Sequence, residues 1–270
     1  MSLMNHMNLA QKNGYSGREA QNSTKEIPSY YTTGITSEEK THTTLDHFHN
    51  IADKYDLMNT FLSFGIHHLW KRRAVKMLAL KENDLVIDIC GGTGDLARCA
   101  VRAMQYRGKI VLYDINGPMM HKGMEKICEI GLEDHIRCVQ GNAESLSFPS
   151  LLFDAAMIGF GIRNVTHREA CLREIYRVLK PDGKFMCLEF SLPATSWLRT
   201  LYDFYSFRII PFLGKHIAGS REAYLYLPES IRRFPPPPVF AKMIEDAGFS
   251  DVSYTSLTNG IVVVYLGYKR

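Results

Sequence analysis

Asp88, Asp114, Asn142 and Arg163 have the residue types and surroundings for small-molecule chemistry. Asp88 stands in the run DLVIDICGGTGDLA (residues 84–97), just ahead of Gly91, Gly92 and Gly94, with Thr93 between them and Asp95 after. Glycines here let a backbone come close to a ligand. Asp114, followed by Ile115, closes a second apolar run; a carboxylate there can accept hydrogen bonds from two ribose hydroxyls, and a solvated loop acid is the plain alternative. Asn142 and Ala143 follow a third run and could bring an amide or backbone group to an adenine edge, although Gly-Asn also marks ordinary turns. Phe160-Gly161-Ile162-Arg163-Asn164 offers an aromatic wall, a flexible joint, a cation and an amide. The alternative for Arg163 is a surface residue capping a helix.

The glycines lack the one-three-six spacing of a dinucleotide fingerprint, and no Gly-Lys-Ser/Thr follows them, so a phosphate cradle is disfavoured. An adenosine bearing an adjacent sulfonium fits better. It needs ribose acceptors, an adenine slot and close backbone access, but no neutralisation of phosphate. Asp88 and Asp95 can face the ammonium of its amino-acid tail or order water nearby.

The elements that must position these residues alternate. Strands are expected at 85–90, 109–114, 136–140, 155–159 and 184–190, with helices at 95–104, 118–130 and 168–178, the last ended by Pro181 and Gly183. Apolar strands separated by helices of this length imply a mostly parallel sheet covered on both faces, with ligands outside the strands' carboxyl ends. A helical cover at 45–80 precedes the sheet. An aromatic insert at 193–233, carrying Trp197, Tyr202, Phe204, Tyr205, Phe207 and Phe212, reads as a lid; ordinary core or a dimer face is the alternative. Pro235–Pro238 predicts an extended break before a helix at 240–247. Strands at 253–258 and 260–268 around Asn259-Gly260 read as an antiparallel edge hairpin.

The chain has 270 residues, 46% of them apolar, with 32 basic and 28 acidic side chains and a net charge of +4. One large domain with appendages follows, and no dense basic block argues for nucleic acid. Residues 1–43 are polar and without period, and read as a partly flexible extension of a domain at 44–270. The six cysteines form no Cys-x-x-Cys pair, which suits free thiols in a cytoplasmic protein. The apolar runs are too short to span a bilayer. His42, His47, His49, His67 and His68 cluster without metal-site spacing, so no metal is expected.

VIDICGGTGD (86–95) resembles motif one of a class I S-adenosylmethionine-dependent methyltransferase. More narrowly, the chain resembles the bacterial and mitochondrial C-methyltransferases of ubiquinone and menaquinone synthesis. The stretches that carry this are ADKYDLMN (52–59), SFGIH (63–67), LWKR (69–72), LYDIN (112–116), GNAE (141–144), FGIRNVT (160–166), YRVLKP (176–181), LEFS (188–191), YDFYSF (202–207), SIR (230–232) and GYK (267–269). They run from about Phe48 to the C-terminus. The resemblance implies a Rossmann-like fold with a seven-stranded mostly parallel sheet, and S-adenosylmethionine as methyl donor. It places Thr93, Asp114, Asn142 and Ala143 at cofactor-binding positions, within a set that also takes in Asp88, Gly91, Gly92, Gly94, Ile115, Gly159 and Phe160. Gly159 stands where the family has a serine, which removes a hydroxyl. The proline run and the long N-terminus are further departures.

The implied reaction is methyl transfer to a ring carbon of a polyprenylated quinol, demethylmenaquinol or a 2-polyprenyl-6-methoxy-benzoquinol. Another small aromatic metabolite is the alternative acceptor, and a non-catalytic scaffold the alternative class. A phenolate makes the neighbouring ring carbon nucleophilic, so orientation, desolvation and a base are needed. Arg163 is the first candidate for stabilising the phenolate or orienting a water; it cannot itself be a base. Asn164, Tyr205, Asp203 and His67 are weaker helpers, His67 being equally suited to a structural role. Tyr55, Asn59, Phe64, Tyr202, Tyr205 and Arg163 are the candidate substrate contacts, and Glu189 could order water or a loop. A prenyl tail implies an open groove and transient membrane contact, and a homodimer stays open.

Overall fold

The computed structural model describes residues 60, 63–210 and 221–270. The N-terminal extension, the first helix of the 45–80 cover, Tyr55, Asn59, His42, His47, His49 and Phe212 lie outside the described residues.

The strands are β1 (Leu85–Ile89), β2 (Lys109–Asp114), β3 (Ile136–Gln140), β4 (Phe153–Gly159), β5 (Leu179–Phe190), β6 (Ser250–Leu257) and β7 (Val262–Tyr268). The helices are α1 (Ile66–Leu78), α2 (Asp95–Ala103), α3 (Gly117–Glu129), α4 (Arg168–Val178), α5 (Ser196–Phe204), α6 (Arg221–Arg233) and α7 (Pro237–Asp246). The strands form one sheet in the order β3-β2-β1-β4-β5-β7-β6. β1 to β5 run parallel, and β7 is antiparallel to both β5 and β6. This is the expected seven-stranded class I architecture with an antiparallel edge.

Both faces of the sheet are buried at its centre, which is why β1, β4, the end of β5 and β7 read as near-continuous apolar runs. Alternate residues of β1 feed different cores. Ile87 and Ile89 pack in a cluster with Leu172, Ile175, Phe240 and Ile244 from α4 and α7. Val86 packs with Trp70, Val75, Leu78, Ala100 and Ile127 from α1, α2 and α3. From β1 the chain steps outward to β2 and β3, then returns to place β4 on the other side of β1. The crevice outside the carboxyl ends of β1 and β4 is the switch point where ligands of such sheets sit.

Several boundaries differ from expectation, β6 for one starting at Ser250 rather than Ser253, and three of the differences have a clear local cause. β5 starts at Leu179 rather than Lys184: Phe153 pairs with Leu179 but Ala155 with Lys184, so Lys180-Pro181-Asp182-Gly183 bulges out of the ladder. Pro and Gly ended the helix as expected without ending the pairing. The prolines do not all lie in an extended break: Pro236 is extended, while Pro237 and Pro238 form the first turn of α7, where a missing N–H costs nothing. The β6–β7 connection is longer than a two-residue hairpin, because Thr258, Asn259 and Gly260 are all left-handed (φ 48°, 56° and 87°).

Candidate functional site

A cavity of about 440 Å3 opens at the carboxyl ends of β1, β2 and β4. Its floor is the turn after β1. Gly91 accepts the Gly94 N–H at 2.9 Å and donates to the Tyr113 carbonyl at 3.2 Å. A Cβ on Gly91 would stand 2.9 Å from Leu112 Cγ and 3.0 Å from the Asp88 carbonyl, so only glycine fits. Gly92 and Gly94 have φ of 54° and 78°, a region costly for other residues. Cys90 (φ 54°) and Phe160 (φ 59°), the residues following β1 and β4, share that conformation without being glycine. Such backbone strain concentrates where a site over-determines the chain.

Asp114 clamps this floor. Its Oδ2 accepts the Gly92 N–H and its Oδ1 the Asn116 N–H, each at 2.8 Å. Burial pushes its pKa up, and the backbone N–H groups of Asn116 and Gly92 pull it back. Each oxygen keeps a further lone pair for a ribose hydroxyl. Thr93 is buried in the same wall, and Ile115 lines it. Asn142 and Ala143 also line the cavity, and the Asn142 side-chain oxygen accepts the Glu144 N–H at 2.9 Å. The pair forms a local turn and also lines the cavity.

Asp88 is fully buried in the floor, with the Ala97 N–H directed at its carboxylate but outside close hydrogen-bond geometry. Burial pushes its pKa up to about 8; the Ala97 N–H and the Lys71 charge offset only part of that. Asp95 is the opposite case. It pairs with Lys71 at 2.7 Å and with Arg98, and these cations outweigh burial to hold its pKa at about 2. Its charge is already served, which leaves Asp88 the better partner for a ligand cation.

The facing wall is aromatic. Phe160 and Phe190 stack at 4.3 Å, and the Trp70 ring lies 6.2 Å from Phe190 and 6.4 Å from Phe160. Arg163 is not a surface cap. Its Nη1 donates to Glu189 Oε1 at 2.9 Å and to the Phe160 carbonyl, inside a pair whose side chains are 4% and 0% exposed. Its backbone N–H reaches Glu189 Oε2 at 3.3 Å, and its guanidinium lies 5.4 Å from the Phe190 ring centre. Gly161 lets this turn pack directly on the turn after β1: a Cβ there would meet Cys90 Cβ at 2.4 Å. Arg163 does line the cavity, but with its charge matched by Glu189.

The insert closes the remaining side. Tyr202 and Tyr205 line the cavity, and burial pushes both phenol pKa values up. Tyr226 of α6 donates to Asn164 Oδ1 at 2.7 Å and lines the same space. Tyr226 escaped the sequence reading because it falls off the apolar series of its helix. Asp203 is not among the residues lining the cavity; it pairs with Arg232. His67 is buried, with Nδ1 2.7 Å from Ser63 Oγ, and Phe64 is 81% exposed at the mouth. His67, His68 and Asp95 have ligand-type atoms within 4.8 Å of one another, the one such trio among the described residues. Lys71 and Arg98 already neutralise its carboxylate, an arrangement that opposes a divalent cation.

Gly159 ends β4 against Leu96, whose Cδ2 would lie 3.1 Å from an added Cβ. That contact is the end of a flexible side chain, so a serine fits with a small shift. Gly159→Ser is expected to fold normally and to bind S-adenosylmethionine up to about fivefold tighter, the worth of roughly one hydrogen bond. Titration calorimetry checks this; a tenfold loss would show that the hydroxyl has no partner there.

The cavity fits an adenosyl sulfonium donor on three grounds. The floor has no Cβ to keep a ligand off the backbone, Asp114 holds a carboxylate beside it, and the cations in the lining, Lys71 and Arg163, are each paired with a carboxylate. A phosphate would find no uncommitted charge among them.

Solved structures share this fold. A SAM-dependent methyltransferase of Thermotoga maritima aligns over 84% of this chain and 100% of its own with a TM-score of 0.59 at 19% identity. One from Aquifex aeolicus aligns over 74% and 89% with a TM-score of 0.53 at 16% identity. The [4+2]-cyclase SpnF also aligns, over 73% and 81%, at a TM-score of 0.56 and 17% identity. The fold alone therefore does not name a reaction. Sequence similarity is closer. The ubiquinone/menaquinone biosynthesis C-methyltransferase UbiE of Francisella tularensis subsp. novicida is 45% identical over 237 residues, covering 88% of this chain and 95% of that protein. Its counterpart in Pectobacterium atrosepticum is 45% identical over 235 residues, covering 87% and 94%. The model of the ubiE/COQ5 methyltransferase family matches residues 35–269, starting upstream of the motifs that first suggested it. With residues 35–269 matched by the family model and 88% of the chain aligned to a 45% identical relative, the chain belongs to the ubiE/COQ5 methyltransferase family.

Proposed function

We propose that this protein transfers the methyl group of S-adenosylmethionine to a ring carbon of a polyprenylated quinol, with a benzenoid or naphthalenoid ring. The observation that carries the reading is the division of the cavity. One half is a glycine floor clamped by Asp114; the other is lined by Trp70, Phe160, Phe190, Tyr202, Tyr205 and Tyr226. The first suits an adenosyl group and the second a flat aromatic ring. The relatives' names as quinone-pathway C-methyltransferases support the same acceptor.

S-adenosylmethionine supplies a methyl carbon already activated by the sulfonium charge. The chain's own task is to hold the ring and to favour its phenolate. Tyr202 and Tyr205 are protonated at neutral pH, since burial raises their pKa values, so they donate hydrogen bonds to acceptor oxygens and are not the base. Asn164, fixed by Tyr226, adds an amide, and Arg163 adds the field of a buried cation tempered by Glu189. Asp203 has no place in this scheme. The acceptor loses its phenolic proton before attack and its ring proton after it, both to water at the open mouth.

Asp88 gives a pH dependence. With its folded pKa raised to about 8, it is protonated in the unliganded protein at neutral pH. A cation beside it favours the carboxylate, so binding of S-adenosylmethionine near pH 7 is expected to release about one proton. Calorimetry in buffers of different ionisation enthalpy measures this, and Asp88→Asn should abolish it. The stability sign follows: the folded state holds this proton where the unfolded chain has lost it, so stability falls as pH rises from about 4 to about 8.

Residues 44–270 are read as the catalytic domain and 193–233 as its lid. No described helix is long and apolar enough to cross a membrane. We read the protein as cytoplasmic and working at a membrane surface, where a prenylated acceptor resides. The test is turnover on reduced benzoquinols and naphthoquinols of graded tail length beside soluble phenols. Transfer only to the unprenylated phenols would sink the quinol reading.

A further inference from the structure

α5 exposes an apolar face on the side away from the protein. Trp197, Leu201 and Phe204 are 69%, 56% and 59% exposed. At 3.6 residues per turn they fall within an arc of roughly 60°, while Tyr202 lies roughly 130° from its centre. α5 has no buried residue, and Ser206 in the turn that follows is buried. A second apolar patch adjoins it at the cavity mouth. Phe64, Ile66 and Leu69 are 81%, 37% and 61% exposed, and the Phe64 ring lies 6.4 Å from that of Tyr205. Contiguous exposed apolar surface of this kind marks an interaction site.

The charges around the patch say what it fits. Arg208 is exposed in the turn that follows α5, and the acid of α5, Asp203, is paired with Arg232. α1 carries Arg72, Arg73 and Lys76 on exposed positions and contains no acidic residue. An apolar stripe flanked by cations matches a bilayer with anionic headgroups. A second copy of the chain would bring the same cations against each other, which opposes association.

We propose that the outward face of α5, together with the Phe64–Leu69 lip, docks on the surface of an anionic lipid bilayer and sets the cavity mouth against it. This rests in part on the prenylated-acceptor reading, since a cavity of about 440 Å3 takes a donor and a ring but must let a polyprenyl tail leave through the mouth. The stripe and its charges stand without that reading. No described helix is long and apolar enough to cross a bilayer, and the proposed docking is superficial and salt-sensitive.

The test is co-sedimentation of the full chain with extruded vesicles of phosphatidylethanolamine and phosphatidylglycerol, and with vesicles of phosphatidylcholine alone. Trp197 is a built-in reporter: the chain has two tryptophans, and Trp70 is 7% exposed. Binding to the phosphatidylglycerol vesicles is expected at least about tenfold tighter than to phosphatidylcholine, with a blue shift of tryptophan emission. Leu201→Ser with Phe204→Ser should remove the difference while leaving calorimetric binding of S-adenosylmethionine unchanged. No vesicle binding by the wild type, or equal binding by the double variant, overturns the proposal. So does a wild-type dimer in light scattering that the double variant dissolves, which would give the face to a second copy. None of these readouts uses turnover, so a wrong acceptor and a wrong surface are told apart.

Discussion

Asp114→Ala is expected to weaken binding of S-adenosylmethionine by roughly a hundredfold or more, the worth of two hydrogen bonds to a charged acceptor. The loss has two sources. The ribose acceptors go, and so does the clamp on the Gly92 and Asn116 N–H groups that shapes the floor. Asp114→Asn should be nearly as damaging. Both carboxylate oxygens face backbone donors, so the amide nitrogen must stand against an N–H whichever way it turns. Calorimetric titration of the folded variants is the check. An affinity within threefold of wild type would refute the assignment of Asp114.

Glu189→Ala is expected to cost about 3–5 kcal/mol of folding stability, because it strands the Arg163 charge in the interior. Arg163→Ala should cost a similar amount by stranding Glu189. A fall in turnover on losing Arg163 therefore has to be read beside its melting curve. The double variant Arg163→Met with Glu189→Leu separates the effects: it removes both charges, and should regain most of the lost stability while turnover stays low. Denaturant unfolding of the three variants measures the first outcome, and turnover at saturating donor the second. If Glu189→Ala costs less than about 1 kcal/mol, the pair is not the buried anchor described here.

What was legible in the sequence was local chemistry. The run from Asp84 to Ala97 contains its own strand, turn and helix start, and Asp114 ends its strand at the residue expected. What escaped were contacts that the fold alone creates. Arg163 and Glu189 are 26 residues apart on different elements, and nothing between them announces a pair. Asp203 and Tyr226 traded expectations for the same reason. Both lie in the insert, and only its packing turns the acid toward Arg232 and the phenol toward Asn164. The prolines misled because Pro236 and Pro237 look identical in sequence, yet one ends an extended link and the other opens a helix. The β5 bulge was hidden because a Pro-Asp-Gly sequence signals a turn whether or not the ladder resumes around it. Tyr55 and Asn59 keep their status as expected substrate contacts beyond the described residues.

Donor binding, ring recognition and carbon methylation meet in one measurement. The full-length protein is supplied with S-adenosylmethionine carrying a carbon-13 methyl group and with a prenylated quinol held reduced, and the product is analysed by mass and carbon NMR. The expected result is one labelled methyl on a ring carbon beside a phenolic oxygen, and no transfer to the oxidised quinone, which has no phenolate to activate the ring. Label on oxygen, equal transfer to the oxidised form, or no transfer by protein shown to bind the donor would contradict it.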